Sequence, residues 1–272
     1  MWDKSVAGAH EVRGRTLGIV GYGNIGSQLS VLAEALGMRV CFYDVADRLA
    51  LANAYRCASL DELLALADLV TLHVDGRPGN AGSFGPNQLA AMRPGSLLLN
   101  LSRGFVVDEA ALREHLLSGH LAGAAVDVFA TEPSGRGEPF VSARRGLDNV
   151  ILTPHIGGST QEAQRDIGRF VSAKLVDFVT AGATTLSVNL PQVALPAAGG
   201  SHRLAHLHHN TPGVLAAINS TLARHDVNVE AQLLTTRGPL GWVLTDIGID
   251  DAADVVHELA ALPDTVRLRV LS

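Results

Sequence analysis

The feature of this 272-residue sequence that most constrains its fold is a glycine-rich hexapeptide, GYGNIG, at positions 21–26. The apolar run before it, at positions 16–20, predicts a buried strand. Apolar residues after it recur at helical spacing: Ile25, Leu29, Leu32 and Leu36. An acid, Asp44, ends the next apolar run at 40–43. This order of strand, glycine turn, helix, strand and acid is the fingerprint of a dinucleotide-binding unit.

Each part of the hexapeptide has its own role in holding a dinucleotide. Gly21 allows the tight turn, Gly23 lets the backbone approach a pyrophosphate, and Gly26 lets the helix pack closely on the strand. The helix N-terminus offers unpaired N–H groups and partial positive charge to the phosphates. Asp44 would accept hydrogen bonds from the adenosine ribose and repel a 2′-phosphate, which favours NAD over NADP. Among 28 glycines this spacing can arise by chance, but its flanking elements and acid favour NAD binding.

Strand-like and helical patterns alternate along the first part of the chain. Further strands are predicted at 54–57, 68–73, 96–100, 123–126 and 150–152. Ser59 and Glu62 form a capping box for one intervening helix, and Asp108 is a suitable cap for another that runs to Ser118. The alternation predicts an α/β fold with a doubly wound parallel sheet. Ligands bind beyond the carboxyl ends of such strands.

The second part of the chain has a different pattern. A long helix at 160–180 is predicted to bury one apolar face: Ala163, Ile167, Phe170, Val171, Leu175 and Phe178. A proline- and glycine-rich stretch follows, and then a βαββαβ order predicts a small ferredoxin-like domain. Its first helix is predicted to start with Thr211 as cap and Pro212 inside. Alternating residues of its second strand are predicted to share one face: Val227, Val229, Ala231 and Leu233.

These patterns divide the chain into five segments. We expect an N-terminal stub at 1–14, a Rossmann domain that binds NAD at 15–155, and a returning helix at 156–185. A linker at 186–200 and a regulatory domain at 201–272 complete the division.

Three polar residues follow predicted strands of the first domain, namely Arg103, Glu132 and His155. Hydride transfer from an alcohol needs a base for the hydroxyl proton, and a histidine has a usable pKa. A carboxylate beside it would fix its tautomer, and an arginine can hold a substrate carboxylate. Each residue taken singly is more often structural. Their succession at strand ends beside a dinucleotide motif favours catalysis.

Composition and charge exclude several other functions. The formal net charge is −6 and no Lys/Arg run is present, which argues against nucleic-acid and anionic-membrane partners. No apolar run is long enough to span a membrane, and the first residues do not read as a secretory signal. Cys41 and Cys57 lie in strand-like runs, so we expect two buried thiols in a reducing cytoplasm.

Four stretches together resemble the D-2-hydroxyacid dehydrogenase family: GIVGYGNIGS at 18–27, LLLNLSRGFVVD at 97–108, LAGAAVDVFATEP at 121–133 and LTPHIGGSTQEAQ at 152–164. The resemblance is greatest to its bacterial phosphoglycerate-oxidising branch. It implies NAD-dependent oxidation of 3-phospho-D-glycerate to 3-phosphohydroxypyruvate, the first step of L-serine biosynthesis. It also implies that Arg103, Glu132 and His155 are catalytic. Further cofactor contacts are implied at Asn24, Ile25, Leu101, Ser102, Asp127, Ile156, Gly157 and Gly158.

The last domain resembles an ACT domain, a small-molecule sensor of amino-acid metabolism. This resemblance implies that the effector L-serine binds to His208, Asn210 and Asn228 across two subunits. It also implies a homo-oligomer formed through the ACT and Rossmann domains. An alternative is a metal site built from His202, His206, His208 and His209. No cysteine or carboxylate completes that ligand set, so we expect no metal.

Members of this family begin with a substrate lobe, whereas this sequence starts just before the first Rossmann strand. We therefore expect a fragment or truncated product that leaves apolar side chains of the 160–180 helix exposed. Two other functions remain open from the sequence. One is a catalytically silent protein that binds NAD and serine, and the other is a dehydrogenase of a different 2-hydroxyacid.

Overall fold

A computed structural model of the chain describes residues 9–135, 137–196, 202–248 and 253–271. The chain divides into two compact units, Met1–Thr160 and Gln161–Ser272. Within the described residues, we find no helix whose length and hydropathy would let it span a bilayer.

The first unit is built on a seven-stranded parallel sheet. Its strands are β1 (Thr16–Val20), β2 (Arg39–Tyr43), β3 (Tyr55–Arg56), β4 (Leu69–Leu72), β5 (Ser96–Asn100), β6 (Leu121–Val126) and β7 (Val150–Leu152). They lie in the order β3-β2-β1-β4-β5-β6-β7 and all pair in parallel. From β1 the chain builds outward to β3 on one side, and from β4 it builds outward to β7 on the other. Because all strands are parallel, their carboxyl ends lie along the same side of the sheet. The predicted doubly wound α/β architecture is confirmed.

Four α-helices connect these strands: α1 (Asn24–Ala35), α2 (Leu60–Leu66), α3 (Pro86–Ala91) and α4 (Glu109–Leu117). The predicted caps are present. Ser59 accepts a hydrogen bond from Glu62 N, and Asp108 accepts one from Ala111 N. These side chains satisfy N–H groups that would otherwise lack a partner in the first turn, so α2 and α4 begin where the sequence indicated.

The predicted apolar face of α1 packs on the sheet only in part. Leu29 packs against buried residues of β1 and β2, but Ile25, Leu32 and the C-cap residue Leu36 are exposed. The buried residues are small, namely Gly26, Ser30 and Ala33. A helix that lies this close to β1 has room only for small side chains, which overrides the apolar periodicity.

The second unit contains a long helix and an antiparallel sheet. Its elements are α5 (Gln161–Ala181), β8 (His202–His209), α6 (Val214–Arg224), β9 (Val229–Arg237), β10 (Leu240–Ile247), α7 (Ala253–Ala260) and β11 (Thr265–Leu271). The sheet order is β11-β8-β10-β9, with every pair antiparallel. This order confirms the predicted ferredoxin-like domain.

Each face of this sheet has its own apolar cluster. On one face, Leu204 and Val243 pack with residues of α6 and α7. On the other, Trp242 and Leu244 pack with Phe178 and Val193. Part of the proline-containing stretch predicted as a linker is therefore packed on the sheet, because its apolar side chains cover the second face.

Three expectations for the second unit are corrected by the structure. Helix α6 begins at Val214 with Gly213 as its N-cap, at φ 93°, rather than at Thr211. A bulge in β9 opposite Asp246 and Ile247 turns Leu234, in place of Leu233, toward the helix-covered face. Helix α5 does not bury the whole apolar face predicted for it. Phe170 and Leu175 are more than half exposed, although Phe178 packs partly against the sheet. The separate expectation of exposed apolar side chains on this helix is met.

Candidate active site

The three glycines of the 21–26 turn meet different surroundings. A Cβ on Gly21 would lie 2.6 Å from the His73 carbonyl oxygen, and one on Gly26 would lie 2.2 Å from that of Gly21. The packing of the protein itself therefore requires glycine at both positions. A Cβ on Gly23 would meet no atom within 4 Å. Gly23 faces open space, which fits a glycine whose role is to leave room for a bound group such as a pyrophosphate.

The start of α1 is prepared for an anion. Its N-cap, Gly23, offers no side chain to the N–H groups of the first turn. Asn24 and Ile25, the two predicted cofactor contacts at this end, are exposed. Free N–H groups and the helix dipole favour a phosphate at this position.

Asp44 is fixed at the end of β2 by two backbone groups. Its Oδ2 accepts from Tyr22 N and its Oδ1 from Ala46 N, both at 2.8 Å. A carboxylate has about four acceptor sites, so acceptor capacity remains for the hydroxyls of a ribose. Sequence reasoning missed Tyr22, whose buried ring stacks on Phe42 with centroids 3.7 Å apart and anchors the turn.

Glu132 and His155 form a direct pair. Nδ1 of His155 lies 2.8 Å from Oε2 of Glu132, while Oε1 of Glu132 accepts from Phe129 N at 3.0 Å. Burial acts to raise the pKa of Glu132, but the hydrogen bonds from His155 and Phe129 outweigh it and hold the pKa below its ordinary value. The carboxylate engages Nδ1, which leaves Nε2 as the ring nitrogen free for a substrate proton.

Asp127 holds the loop that carries His155. Its carboxylate accepts hydrogen bonds from the Thr153 hydroxyl at 2.6 Å and from the backbone N–H groups of Ile156 and Gly157 at 2.9 Å. Burial opposes ionisation, yet these three donors lower the pKa of Asp127. His155 itself has φ 52°, an uncommon conformation for a non-glycine residue. The loop is therefore held in one shape by a buried carboxylate, beside the exposed Gly158.

Arg103 is placed by a buried asparagine that sequence reasoning missed. Asn100, at the end of β5, donates to the Arg103 carbonyl and accepts from the backbone N–H and hydroxyl of Ser102. An asparagine ending the apolar run Leu97-Leu98-Leu99 was the available signal. Arg103 is exposed, next to the exposed Leu101, and its Nη1 donates to the Ser102 carbonyl at 2.6 Å.

The Arg103 loop and the Glu132 loop are in close contact. A Cβ on Gly104 would lie 1.9 Å from the Phe129 carbonyl carbon, so only glycine fits there. Within the described residues Arg103 makes no hydrogen bond to Glu132 or His155, which leaves its guanidinium available to a ligand. A cavity of ≈ 300 Å³ adjoins the pair and is lined by Phe129, Glu132, Pro133, Phe140, Leu152, Thr153, Pro154 and His155.

The three residues expected to bind an effector are not brought together within one chain. His208 and Asn210 lie at the end of β8, whereas Asn228 precedes β9. β8 and β9 both run antiparallel to β10, so Asn228 lies at the opposite end of the sheet from His208. His208 is buried and its Nδ1 donates to the His209 carbonyl, while Asn210 donates to the Gly238 carbonyl.

The alternative metal site finds no support in the residues that the structure describes, where no three His, Cys, Asp or Glu side chains form a ligand group. His206 and His208 are both buried, with ring centroids 5.9 Å apart. Burial, aided by His208, lowers the pKa of His206 to about 4. Cys41 and Cys57 are buried free thiols, and burial raises the pKa of Cys41 to about 12.

Comparison with known proteins identifies the family. A sequence profile of the D-isomer specific 2-hydroxyacid dehydrogenase NAD-binding domain matches residues 1–157. The chain belongs to the D-isomer specific 2-hydroxyacid dehydrogenase family. The cofactor of this family's dinucleotide-binding domain is NAD. A second profile, the AHAS small subunit-like ACT domain, matches residues 204–267 and confirms the ACT domain.

Individual relatives agree with this assignment. The chain is 49% identical over its whole length to D-3-phosphoglycerate dehydrogenase of Escherichia coli and 46% identical to that of Dictyostelium discoideum. It spans 66% of the length of both relatives. Among solved structures, D-lactate dehydrogenase from Sporolactobacillus is 34% identical with a TM-score of 0.58, over 65% of this chain and 56% of that one.

An NAD-complexed relative supports the cofactor. The D-isomer specific 2-hydroxyacid dehydrogenase of Lactobacillus delbrueckii, solved in its NAD-complexed form, is 29% identical with a TM-score of 0.55. The match covers 62% of this chain and 54% of that one.

Proposed function

We propose that this chain carries out the NAD-dependent oxidation of 3-phospho-D-glycerate to 3-phosphohydroxypyruvate. The observation that carries the proposal is the Glu132–His155 pair, already formed at 2.8 Å beside the predicted cofactor crevice. Identity to D-3-phosphoglycerate dehydrogenases is 46–49%, against 34% to the D-lactate dehydrogenase. That difference favours phosphoglycerate over another 2-hydroxyacid.

In this proposal Gly23 and the start of α1 would hold the pyrophosphate of the cofactor, and Asp44 would hold its ribose. When bound, NAD would supply the acceptor for the hydride that leaves the carbinol carbon of the substrate. Leu101, Ser102, Asp127, Gly157 and Gly158 would lie near the nicotinamide end of the cofactor. The open space at Gly23 supports this placement.

The side chains of this chain have separate roles in the reaction. Arg103 holds the substrate carboxylate through its guanidinium, which makes no hydrogen bond to Glu132 or His155 among the described residues. His155 takes the hydroxyl proton on Nε2. Glu132 stabilises the imidazolium that results, since its carboxylate already contacts Nδ1.

We further propose that L-serine is an effector and that it binds between two copies of the chain. His208 and Asn210 of one copy would meet Asn228 of another, because one chain places them at opposite ends of its sheet. Amide and imidazole groups can satisfy both the carboxylate and the ammonium of a free amino acid. The homo-oligomer would form through the ACT and Rossmann domains.

The decisive experiment for substrate is a panel of 2-hydroxyacids with the purified chain. NADH formation should be fastest with 3-phospho-D-glycerate, with D-glycerate and D-lactate as controls, and NADP should support little turnover. Saturable NAD binding without turnover of any substrate would instead favour the silent binding protein. Faster turnover of D-lactate would favour a different 2-hydroxyacid.

A further inference from the structure

A buried arginine contacts Phe129, the residue whose backbone N–H donates to Glu132. This arginine has no role in the mechanism above. Arg144 lies in the turn before β7 and is 1% exposed. Its Nη2 donates to Oε1 of Glu109, the first residue of α4, at 2.5 Å. Its Nη1 is buried with no hydrogen-bond partner in the described part of the chain. The protein therefore replaces only some of the hydrogen bonds that this guanidinium would make to water.

Stability alone is a poor reason for a charge in this position. Burial lowers the pKa of Arg144, and Glu109 only partly opposes that effect. Replacing a buried ion pair with apolar groups of similar volume is often neutral or stabilising. What Arg144 contacts is therefore more informative than what it adds to the free energy of unfolding.

The guanidinium contacts the residue that orients Glu132. Cζ of Arg144 lies 5.3 Å from the centroid of the Phe129 ring, within the range of a cation–π interaction. Phe140 meets the same ring edge to face at 4.6 Å. The Phe129 ring thus contacts both a cation and a second aromatic ring. The backbone N–H of Phe129 donates to Oε1 of Glu132.

We propose that Arg144 is a positioning residue for the Glu132–His155 pair and acts through Phe129. Glu109 anchors the guanidinium to the start of α4, and the guanidinium fixes the Phe129 ring. The Phe129 N–H then fixes one oxygen of Glu132 while the other engages His155. The effect of Arg144 on turnover rests on the function proposed above, but its effect on Glu132 does not.

Two charged side chains affect Glu132 directly, namely His155, which lowers its pKa, and Asp127, which raises it. The hydrogen bond from Phe129 N also lowers this pKa. Loss of Arg144 should therefore raise the pKa of Glu132 by loosening that hydrogen bond.

The test compares Arg144→Met with Arg145→Met in the full chain. Arg145 is an exposed neighbour whose Nη1 donates to the Phe140 carbonyl at 2.9 Å. Two readouts need no turnover, the NMR titration of the Glu132 carboxyl carbon and the hydrogen exchange of the Phe129 amide. Arg144→Met should raise the pKa of Glu132 and speed exchange of the Phe129 amide about tenfold. Arg145→Met should change neither.

Unchanged titration and exchange in Arg144→Met would overturn the proposal. If that variant does not fold, Glu109→Gln replaces it in the test. This change weakens the ion pair with Arg144 at the partly exposed Glu109. It should raise the pKa of Glu132 and speed exchange of the Phe129 amide in the same directions, by smaller amounts. In the enzyme assay kcat should fall about tenfold for Arg144→Met with KM within about twofold. If the wild-type chain shows no turnover, the proposed function is refuted. The Glu132 titration and the Phe129 amide exchange would still test whether Arg144 positions Glu132.

Discussion

The two units assemble their polar residues in opposite ways. In the first unit, Glu132 and His155 follow consecutive strands of a parallel sheet and meet at 2.8 Å within one chain. In the second unit, His208 and Asn228 lie at opposite ends of an antiparallel sheet. A parallel sheet collects all its strand ends at one edge, whereas an antiparallel sheet alternates them. One chain therefore brings the Glu132–His155 pair together, whereas the proposed effector site would need a second copy of the chain.

The two units also differ in how deeply their charged and polar side chains are buried. The side chains of Glu132 and His155 are about one-third and one-half exposed. In the second unit Arg203 and Asp246 form a buried pair, and His206 and His208 are buried as well. A ligand can therefore reach the polar side chains of Glu132 and His155, whereas the buried polar groups of the second unit contribute to its folding stability.

The largest expected effect concerns the divided effector site. His208→Ala and Asn228→Ala should each abolish L-serine binding, measured by calorimetry. When the two variants are unfolded, mixed and refolded as hybrids, a site between subunits should regain binding, at about a quarter of the wild-type capacity for a random dimer. Each variant refolded alone is the control. Hybrids that bind no serine would indicate that the site is not shared in this way.

The next effect concerns the buried pair of the second unit. Asp246→Asn leaves the Arg203 guanidinium buried without its carboxylate, and we expect about 3 kcal/mol less free energy of unfolding. Trp242, packed in this unit, reports the transition by fluorescence in a Trp2→Phe background. Asp177→Asn removes a pair with Lys174 whose side chains are one-third to one-half exposed, and it should change the free energy of unfolding by no more than about 1 kcal/mol. Equal losses of unfolding free energy in Asp246→Asn and Asp177→Asn would show that burial of the Arg203–Asp246 pair adds nothing to its effect on stability.

A pH effect follows from His206. Unfolded His206 takes up a proton as the pH falls through 6.5, but the folded residue does so only near its lowered pKa of about 4. The second unit should therefore lose stability as the pH falls from 6.5 toward 4, by up to about 3 kcal/mol. His206→Gln should lack this share of the loss when unfolding is measured at both ends of the window. Identical pH dependence in the two proteins would show that His206 does not titrate in this way.

The smallest stability effect separates two glycines of the first unit. Gly21→Ala should lower the free energy of unfolding by about 1–3 kcal/mol, since Gly21 has φ 94° and its Cβ would meet the His73 carbonyl. Gly23→Ala has open space and should change it by about 0.5 kcal/mol or less, yet weaken NAD binding. Denaturant unfolding and NAD titration check both variants. Full NAD affinity in Gly23→Ala would remove the case for a pyrophosphate at this position.

Much of this architecture could be predicted from local patterns in the sequence. The runs that became β1 and β5 were predicted with the observed bounds, and Asp108 caps α4 as expected. The pairing of Glu132 with His155 could be inferred because parallel strand ends share an edge. These features depend on periodicity and capping, which short stretches of sequence contain.

Other features depend on tertiary packing and could not be predicted in this way. The buried face of α1 is set by its close approach to β1, and the position of Leu234 by a bulge in β9. The supporting roles of Asn100 and Arg144 depend on contacts with distant residues or with loop backbone. The first residue of α6 was wrong because Gly213, in a left-handed conformation, became the cap in place of Thr211.

We propose that the Glu132–His155 pair removes a proton from a hydroxyacid held beside NAD. This role is tested by NADH formation from 3-phospho-D-glycerate in the wild-type chain and in His155→Ala, with NAD affinity measured in parallel. We expect kcat to fall by about 10²–10⁴-fold while the Kd for NAD stays within about twofold. Undiminished turnover in His155→Ala would show that His155 is not the base.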